Sequence, residues 1–567
     1  MNTYKLSSDF SIASQLTVVD VKQLAELGIR TLICNRPDGE ATDQPTHVTI
    51  RQAAEAEGIT FHYLPTQASA IADETVDSFV AILKEASRPV VAYCRTGTRS
   101  AMLWALSEAG KQSLSAILEK TKSAQVDVSS LARRISNGGR TVNAMATTHH
   151  QIVIVGAGSA GIATAASLKS REPNLDIALI DPADAHYYQP GWTMVGGGVF
   201  EAESTVRTMA SVMPRGVTWI KAAVTAFDPQ TNAVVLDGGR VIQYDQLVVC
   251  PGLKLDWSAI KGLTETLGSN GVTSNYRYDL APYTWKLVQE LKSGKALFTQ
   301  PPMPIKCAGA PQKALYLSCD HWLKNDRQAQ IKTQFFNSGG VLFGVADYVP
   351  ALMAYMEKYA VDLKFSHKLV AVDGPNKQAT FERTDKDGNT QIVIESFDLL
   401  HVVPPQVAPD FIRSSPLVDE AGWIDVDPTT LAHRKFSNVW ALGDVVNTTN
   451  AKTMAAARKQ APVVANNVLV NLGMKQHQAA YNGYGSCPLT VERGKVVLAE
   501  FLYGGKLAPT FATWFLDGRR PSRLSWFLKE RILPSFYWHC MLKGREWFAD
   551  TEVSQAEHSR PFSMQCQ

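Results

Sequence analysis

HHQIVIVGAGSAGIATAASLKSREPNLDIALIDP, residues 149–182, decides the fold. An apolar run from Ile152 to Val155 leads into Gly156, Gly158 and Gly161. A helix-patterned stretch follows, and a second apolar run ends at Asp181. The first glycine permits a tight turn, the second lets a pyrophosphate approach the backbone, and the third lets the helix pack closely on the strand. An acid closing the second strand accepts ribose hydroxyls. Strand, glycines, helix and acid fall in register, so the stretch reads as a dinucleotide-binding βαβ unit rather than an ordinary glycine-rich turn.

Two later stretches extend this reading. YDQLVVCPG (244–252) is an apolar strand ending in Pro-Gly, and FSNVWALGDVVN (436–447) is another ending in Gly443-Asp444. Alone, a Gly-Asp after a strand is a good turn. Three such motifs in this order are similar to those of flavoproteins built from two dinucleotide folds, in which the acid holds the ribityl chain of FAD. The cofactor expected is therefore FAD, with Gly156, Gly158, Gly161, Asp181, Gly443 and Asp444 around it.

The second nucleotide site of such a protein should carry its own glycine fingerprint. Here the strand-like KALFTQPP (295–302) runs instead into PMPIKCAGAPQK (302–313). Without glycines the backbone cannot approach a second pyrophosphate, so no NAD(P) is expected. Cys307 is expected just before a helix N-terminus, where free N–H groups, the helix dipole, Lys306 and Lys313 all favour thiolate. The alternative is a buried, inert cysteine.

From about 149 to 547 the chain resembles the sulfide:quinone oxidoreductases of the mitochondrial-like branch. The resemblance rests on HYYQPGWTMVGGG (186–198), IKCAGAPQKALYL (305–317), NVWALGD (438–444), AKTMAAA (451–457) and YNGYGSCPLTVERGKVVLAEF (481–501). It implies that the cysteine at position 307 takes up sulfide sulfur, that FAD accepts two electrons, and that ubiquinone receives them. It also assigns Gln189 and Val224 to the FAD site and Lys452 to the flavin edge. A cysteine disulfide or trisulfide is the electrophile that matches the soft nucleophile HS⁻. The resemblance puts the second redox cysteine directly after the Gly-Asp, where this chain has Val445. Cys250, Cys319 or Cys487 replaces it, or Cys307 works alone with a mobile partner.

Length and composition bound these readings. A chain of 567 residues is too long for one core. The net charge of +3 argues for no nucleic acid. Eight cysteines form neither a disulfide scaffold nor a zinc-like pair of pairs, so no metal is expected. No signal peptide is read at the N-terminus, and no apolar run is long enough to span a bilayer.

SNGGRTVNAMATTHH (136–150) reads as a linker between two modules. Before it, RTLICNR, PVVAYC and two helical stretches ending on glycine alternate as in a small α/β domain with parallel strands. In VVAYCRTGTRSAMLWALSEAG (90–110), Cys94 ends a strand and four residues separate it from Arg99. Backbone amides and Arg99 in such a loop stabilise an anionic sulfur or oxyanion. Tyrosine phosphatases place five residues there, and rhodanese sulfurtransferases commonly four. Residues 2–115 resemble a small bacterial family with a phosphatase-like fold and this shorter loop, ICNRPDGE (33–40) being its other marker. Sulfur transfer is expected, with phosphatase activity or an inert cysteine as alternatives.

TWFLDGRRPSRLSWFLKERILPSFYWHCMLKGREWF (513–548) carries four of the twelve Trp and seven basic residues. Leu524, Phe527, Leu528 and Ile532 share one helical face, which suits an interfacial helix or a core helix equally. A bilayer-borne quinone favours the former.

The reading is thus an α/β chain. A phosphatase-like or rhodanese-like domain (1–135) and a linker (136–150) precede an FAD flavoprotein (151–512) and a membrane-interface segment (513–548). The protein is expected to be a cytoplasmic, peripheral (monotopic) enzyme on the inner face of the membrane, oxidising sulfide, reducing ubiquinone and passing sulfane sulfur to an acceptor such as glutathione. Two other readings stay open: an NAD(P)H-dependent flavin oxidoreductase such as a type II NADH dehydrogenase, and a redox sensor reporting sulfide to a partner protein.

Overall fold

The structure, a computed structural model, describes residues 3–67, 71–141, 147–549 and 552–553. Its chain divides into two compact units. The first comprises the described residues of Met1–His150 with Ala222–Asp245 and Asp410–Gly422. The second comprises Gln151–Lys221, Gln246–Pro409 and the described residues of Trp423–Gln567.

In the first unit, the strands Phe10–Ala13, Val90–Tyr93, Thr31–Cys34 and Thr60–Tyr63 lie parallel in that order, and Thr3–Lys5 pairs antiparallel at one edge. Val90–Tyr93 and Thr31–Cys34 are buried along their whole length, as parallel strands covered on both faces must be. Phe10 stacks on Trp104 and meets Phe79 edge-on in one core layer. The later antiparallel strands Val224–Asp228 and Ala233–Leu236 add Ala226 and Val235 to that core.

Part of the stretch read as a linker is ordered within this unit. Arg140 donates to Asp77 at 2.7 Å and Thr141 Oγ1 to Asp73 at 2.8 Å. Residues 142–146 lie outside the described residues, and the strand Thr147–Val155 follows.

In the second unit, Ile152–Val155 pairs in parallel with Ile177–Ile180, which pairs with Val217–Ile220. Leu247–Val249 pairs in parallel with Val439–Ala441. This is the predicted dinucleotide fold, and helix Ser159–Arg171 is the predicted crossover. A second parallel sheet runs Val272–Thr273, Leu399–His401, Gly294–Gln300, Ile331–Asn337, Asp362–Phe365. Helix Ala310–Lys324 follows the strand Gly294–Gln300, as the sequence suggested. The antiparallel hairpin Gly485–Glu492 and Lys495–Phe501 packs against that helix. Among the described residues, no helix is long and apolar enough to cross a membrane.

Candidate functional site

A cavity of about 380 Å³ lies within the second unit, and the glycine loop forms one wall. Gly156 has φ +102°, and a Cβ there would stand 2.7 Å from the Cys250 carbonyl oxygen. A Cβ at Gly161 would stand 1.8 Å from the Gly156 oxygen. At Gly158, the N-cap of helix Ser159–Arg171, the space is open. Two glycines close the turn and the third leaves room for a ligand at the positive helix end. The Asp181 carboxylate accepts the N–H of Ala157 at 2.7 Å and of Ala183 at 2.8 Å, which fixes it at the end of the second strand.

The fit to a flavin is tested by polar atoms left without protein partners. Trp192 Nε1, Thr193 Oγ1 and both amide atoms of Asn275 are buried and have no hydrogen-bond partner, and all three residues line the cavity. Each such atom costs about 1–3 kcal/mol unless a ligand satisfies it. A flavin ring, with alternating donors and acceptors on one edge, is a group of that kind. Gly443 (φ +79°) and Asp444 line the same cavity. Burial raises the Asp444 carboxyl above its usual range, against the pull of Lys306 and Lys452. Gln189 also lines the cavity and accepts a hydrogen bond from the Lys306 ammonium.

Of the assigned positions, Gly158, Gln189, Gly443 and Asp444 line the cavity, whereas Gly156, Gly161, Asp181, Val224 and Lys452 do not. The Lys452 ammonium donates to the carbonyls of Asp444 (2.8 Å) and Val446 (2.7 Å), and Lys452 is not among the lining residues. It braces the flavin motif. Val224 sits in the first unit, paired with Leu236, and is likewise not among the lining residues.

Cys307 holds φ +52°, a conformation costly for a residue with a Cβ. Three hydrogen bonds impose it. Its N–H donates to the Lys452 carbonyl (2.9 Å), its carbonyl accepts from Ala310 N–H (2.7 Å), and Tyr276 O–H reaches the same carbonyl (3.3 Å). The thiol therefore stands just before helix Ala310–Lys324. Its Sγ lies 3.7 Å from Cys487 Sγ, and Lys313 Nζ donates to it at 3.1 Å. Of the three candidate thiols, the one the structure brings against Cys307 is Cys487, on the hairpin strand Gly485–Glu492; Val445 is buried. The other two candidates make other contacts, although Cys250 also lines the cavity. Cys250 is buried with Sγ directed at the Gly156 carbonyl (3.6 Å), and Cys319 is buried in the helix core.

The electrostatics divide the pair. A hydrogen bond from Cys487 and, against burial, the Lys313 charge hold the Cys307 thiol well below its usual value. The same hydrogen bond and burial push Cys487 well above its own. Burial alone would lower Lys313, but the two sulfurs outweigh it and keep that side chain charged. Lys306, expected to act alongside Lys313, lies over the rings of Trp192 and Tyr276; burial lowers its ammonium while the Asp444 and Cys307 charges oppose that. Lys529 reaches in from the C-terminal segment and donates to the Pro488 carbonyl at 2.8 Å. Burial and the neighbouring Lys313 charge push its ammonium well below the usual lysine range.

In the first unit, Cys94 follows the strand Val90–Tyr93 and accepts the Gly97 N–H at 3.2 Å. Gly97 (φ +90°) caps helix Thr98–Ser107. Arg99 is buried, and its two terminal nitrogens donate to both Glu40 oxygens, at 2.7 and 2.8 Å. Arg36 donates to Glu40 as well, at 3.0 Å. These hydrogen bonds, that of Arg99 foremost, hold the Glu40 carboxyl at about 2. Glu40 closes the ICNRPDGE motif, so the signal lay in the sequence without its partner being legible.

Residues 3–111 match the family "Beta-lactamase hydrolase-like protein, phosphatase-like domain", and residues 150–300 match "Pyridine nucleotide-disulphide oxidoreductase". The mitochondrial sulfide:quinone oxidoreductase of Dictyostelium discoideum is 40% identical over 402 residues, covering 70% of this chain and 87% of the relative. That of Mus musculus is 37% identical over 399 residues, covering 70% and 88%. The beta-lactamase hydrolase-like protein of Agrobacterium fabrum is 32% identical over 109 residues, 19% of this chain and 25% of the relative. Among solved structures, the sulfide:quinone oxidoreductase of Aquifex aeolicus shares the fold with a TM-score of 0.59 at 19% identity, covering 74% of this chain and 100% of that one.

Proposed function

The chain belongs to the sulfide:quinone oxidoreductases, and on that premise we propose that Cys307 and Cys487 are the redox pair through which it oxidises sulfide, with FAD as its flavin and ubiquinone as acceptor. The observation that carries this is the 3.7 Å contact of the two sulfurs beside Lys313, on a cavity that also holds the glycine cradle.

In the oxidised form the two cysteines are joined as a disulfide. HS⁻ attacks the Cys487 sulfur, the S–S bond breaks, and Cys307 leaves as thiolate. Cys307 is the better leaving group because its thiol is the more acidic of the two. Cys487 then carries the added sulfur as a persulfide. The thiolate of an acceptor such as glutathione takes the outer sulfur and frees Cys487 as thiolate. The two thiolates give up two electrons and rejoin. FAD, held by Gly158, Gln189, Gly443 and Asp444, would supply the two-electron acceptor between the thiols and the quinone. Lys313 stabilises the Cys307 thiolate once the disulfide has opened.

For the first unit, the proposal is sulfane-sulfur transfer through Cys94 to a thiol acceptor. The four-residue spacing to Arg99 supports it, as does Glu40, which engages both terminal nitrogens of the arginine fork that would grip a phosphate. Cys94→Ser is expected to lower sulfur transfer from thiosulfate to cyanide or glutathione by about 1,000-fold, while sulfide still bleaches the flavin at the parent rate. Hydrolysis of p-nitrophenyl phosphate by the parent, lost in the variant with sulfur transfer intact, would show a phosphatase instead.

The C-terminal segment is proposed as the membrane contact, on the cytoplasmic face. Trp514 is 87% exposed, and Phe515, Phe527 and Ile532 are exposed as well, whereas Trp526 and Lys529 turn inward. Apolar side chains left in water beside Arg519, Arg520 and Arg523 suit an anionic lipid surface. Trp514→Glu combined with Phe527→Glu is expected to lower co-sedimentation with anionic vesicles by about tenfold or more, with flavin retained. Unchanged sedimentation would remove this face as the anchor.

A further inference from the structure

Quinone reduction needs protons as well as electrons. Each carbonyl oxygen that becomes a hydroxyl takes one proton, and a quinone lodged among apolar side chains has little water to take it from. The cavity has such an apolar end, made by Leu528, Ile532, Leu533, Phe536 and Phe548. Among the described residues, two carboxylates line the cavity. Asp444 belongs to the flavin motif; the other is Glu500.

Glu500 is 5% exposed, a costly place for a carboxylate unless it is well hydrogen-bonded. Three donors hold it. Tyr484 O–H lies 2.5 Å from Oε1, Thr510 N–H lies 3.0 Å from Oε2, and the Thr510 hydroxyl donates to Oε1. Tyr348 O–H fixes the backbone by donating to the Glu500 carbonyl at 3.1 Å. The cation facing this group is Arg458, whose guanidinium packs on Phe536 and donates to the Trp547 carbonyl. Burial and the Glu500 charge raise the Tyr484 phenol, which therefore stays a donor. Tyr484, Thr510 and Arg458 also line the cavity, so the whole cluster borders the same space as the apolar end.

We propose that Glu500 is the proton donor to the quinone, with Tyr484 and Thr510 positioning its carboxyl. This rests on the quinone-reducing reading and deepens it. As the quinone gains the two electrons that a bound flavin would supply, its two carbonyl oxygens become hydroxyls. The Glu500 carboxylate takes up a proton from solvent water, passes it to a quinone oxygen and is left again as the carboxylate that Tyr484 and Thr510 hold; a second such cycle delivers the second proton.

The test separates electron transfer from proton transfer. The full-length holoenzyme is reduced by sulfide without oxygen, then mixed with a short-tailed ubiquinone analogue or with ferricyanide, which accepts electrons without protons. In Glu500→Gln, sulfide is expected to bleach the flavin at the parent rate and ferricyanide to reoxidise it at the parent rate. Reoxidation by the quinone is expected to slow about 100-fold. Tyr484→Phe, which removes one of three hydrogen bonds to the carboxyl, should slow the same step less and serves if Glu500→Gln loses its flavin. Quinone reoxidation at the parent rate in both variants overturns the proposal, as does an equal loss with quinone and ferricyanide. A parent enzyme that quinone cannot reoxidise at all refutes the family reading instead.

Discussion

Cys487→Ser stops sulfide from reducing the flavin, lowering the rate by about three orders of magnitude or more, while the flavin stays bound. The expectation follows from the 3.7 Å contact with Cys307 and from the proposed attack of HS⁻ on the less acidic of the two sulfurs. Serine preserves the strand and its pairing with Ala499 but offers no sulfur to attack. Cys307→Ser should lose the reaction as completely, because neither half of a disulfide works alone. Cys319→Ala is the matched control. Its thiol lies in the core of helix Ala310–Lys324, away from the cavity, and sulfide should bleach that variant normally. Stopped-flow absorbance of the flavin band under anaerobic sulfide measures all three. If Cys487→Ser is bleached near the parent rate, Cys307 works with another thiol or alone.

Lys313→Met carries the second large effect, and its sign depends on pH. In the parent, the Cys487 hydrogen bond and then the Lys313 charge depress the Cys307 thiol and favour its thiolate. Without the ammonium the thiol returns towards the ordinary cysteine value of about 8.5. The group then becomes protonated at pH 7 and ionises only as pH rises through the restored pKa. Flavin reduction should therefore fall about 10- to 100-fold at pH 7, and the ratio of variant to parent rate should climb towards unity by about pH 9 to 10. Lys313→Arg, which keeps the charge, should lie between the two. Parent and variant profiles running parallel across pH would mean that Lys313 shapes the site without ionising Cys307.

The sequence carried the local parts of this site well. The glycines around Gly156, the Gly443-Asp444 turn and the placing of Cys307 before a helix are each set by a few consecutive residues, and each has a steric or dipolar reason readable in one dimension. What escaped was tertiary. Cys487 lies 180 residues from Cys307, and only the packing of the hairpin on helix Ala310–Lys324 joins them. The expectation of a cysteine at Val445 drew attention to the wrong strand end. Lys452 stands near the flavin motif in sequence, yet its rotamer sends the charge into two carbonyls. Lys529 reads as one more basic residue flanking an interfacial helix, whereas a π-helical turn at Leu528–Ile532 rotates it inward towards the thiols. Glu500 reads as an acid in an ordinary strand until its three hydrogen-bond donors are seen.

The most direct measurement is the flavin absorbance of the intact protein, followed without oxygen through successive additions of NADH, sulfide and a short-tailed ubiquinone. The account predicts no rapid change with NADH, bleaching with sulfide, and full return of the oxidised band with the quinone. A flavin bleached by NADH as fast as by sulfide, or left oxidised by sulfide, would contradict it.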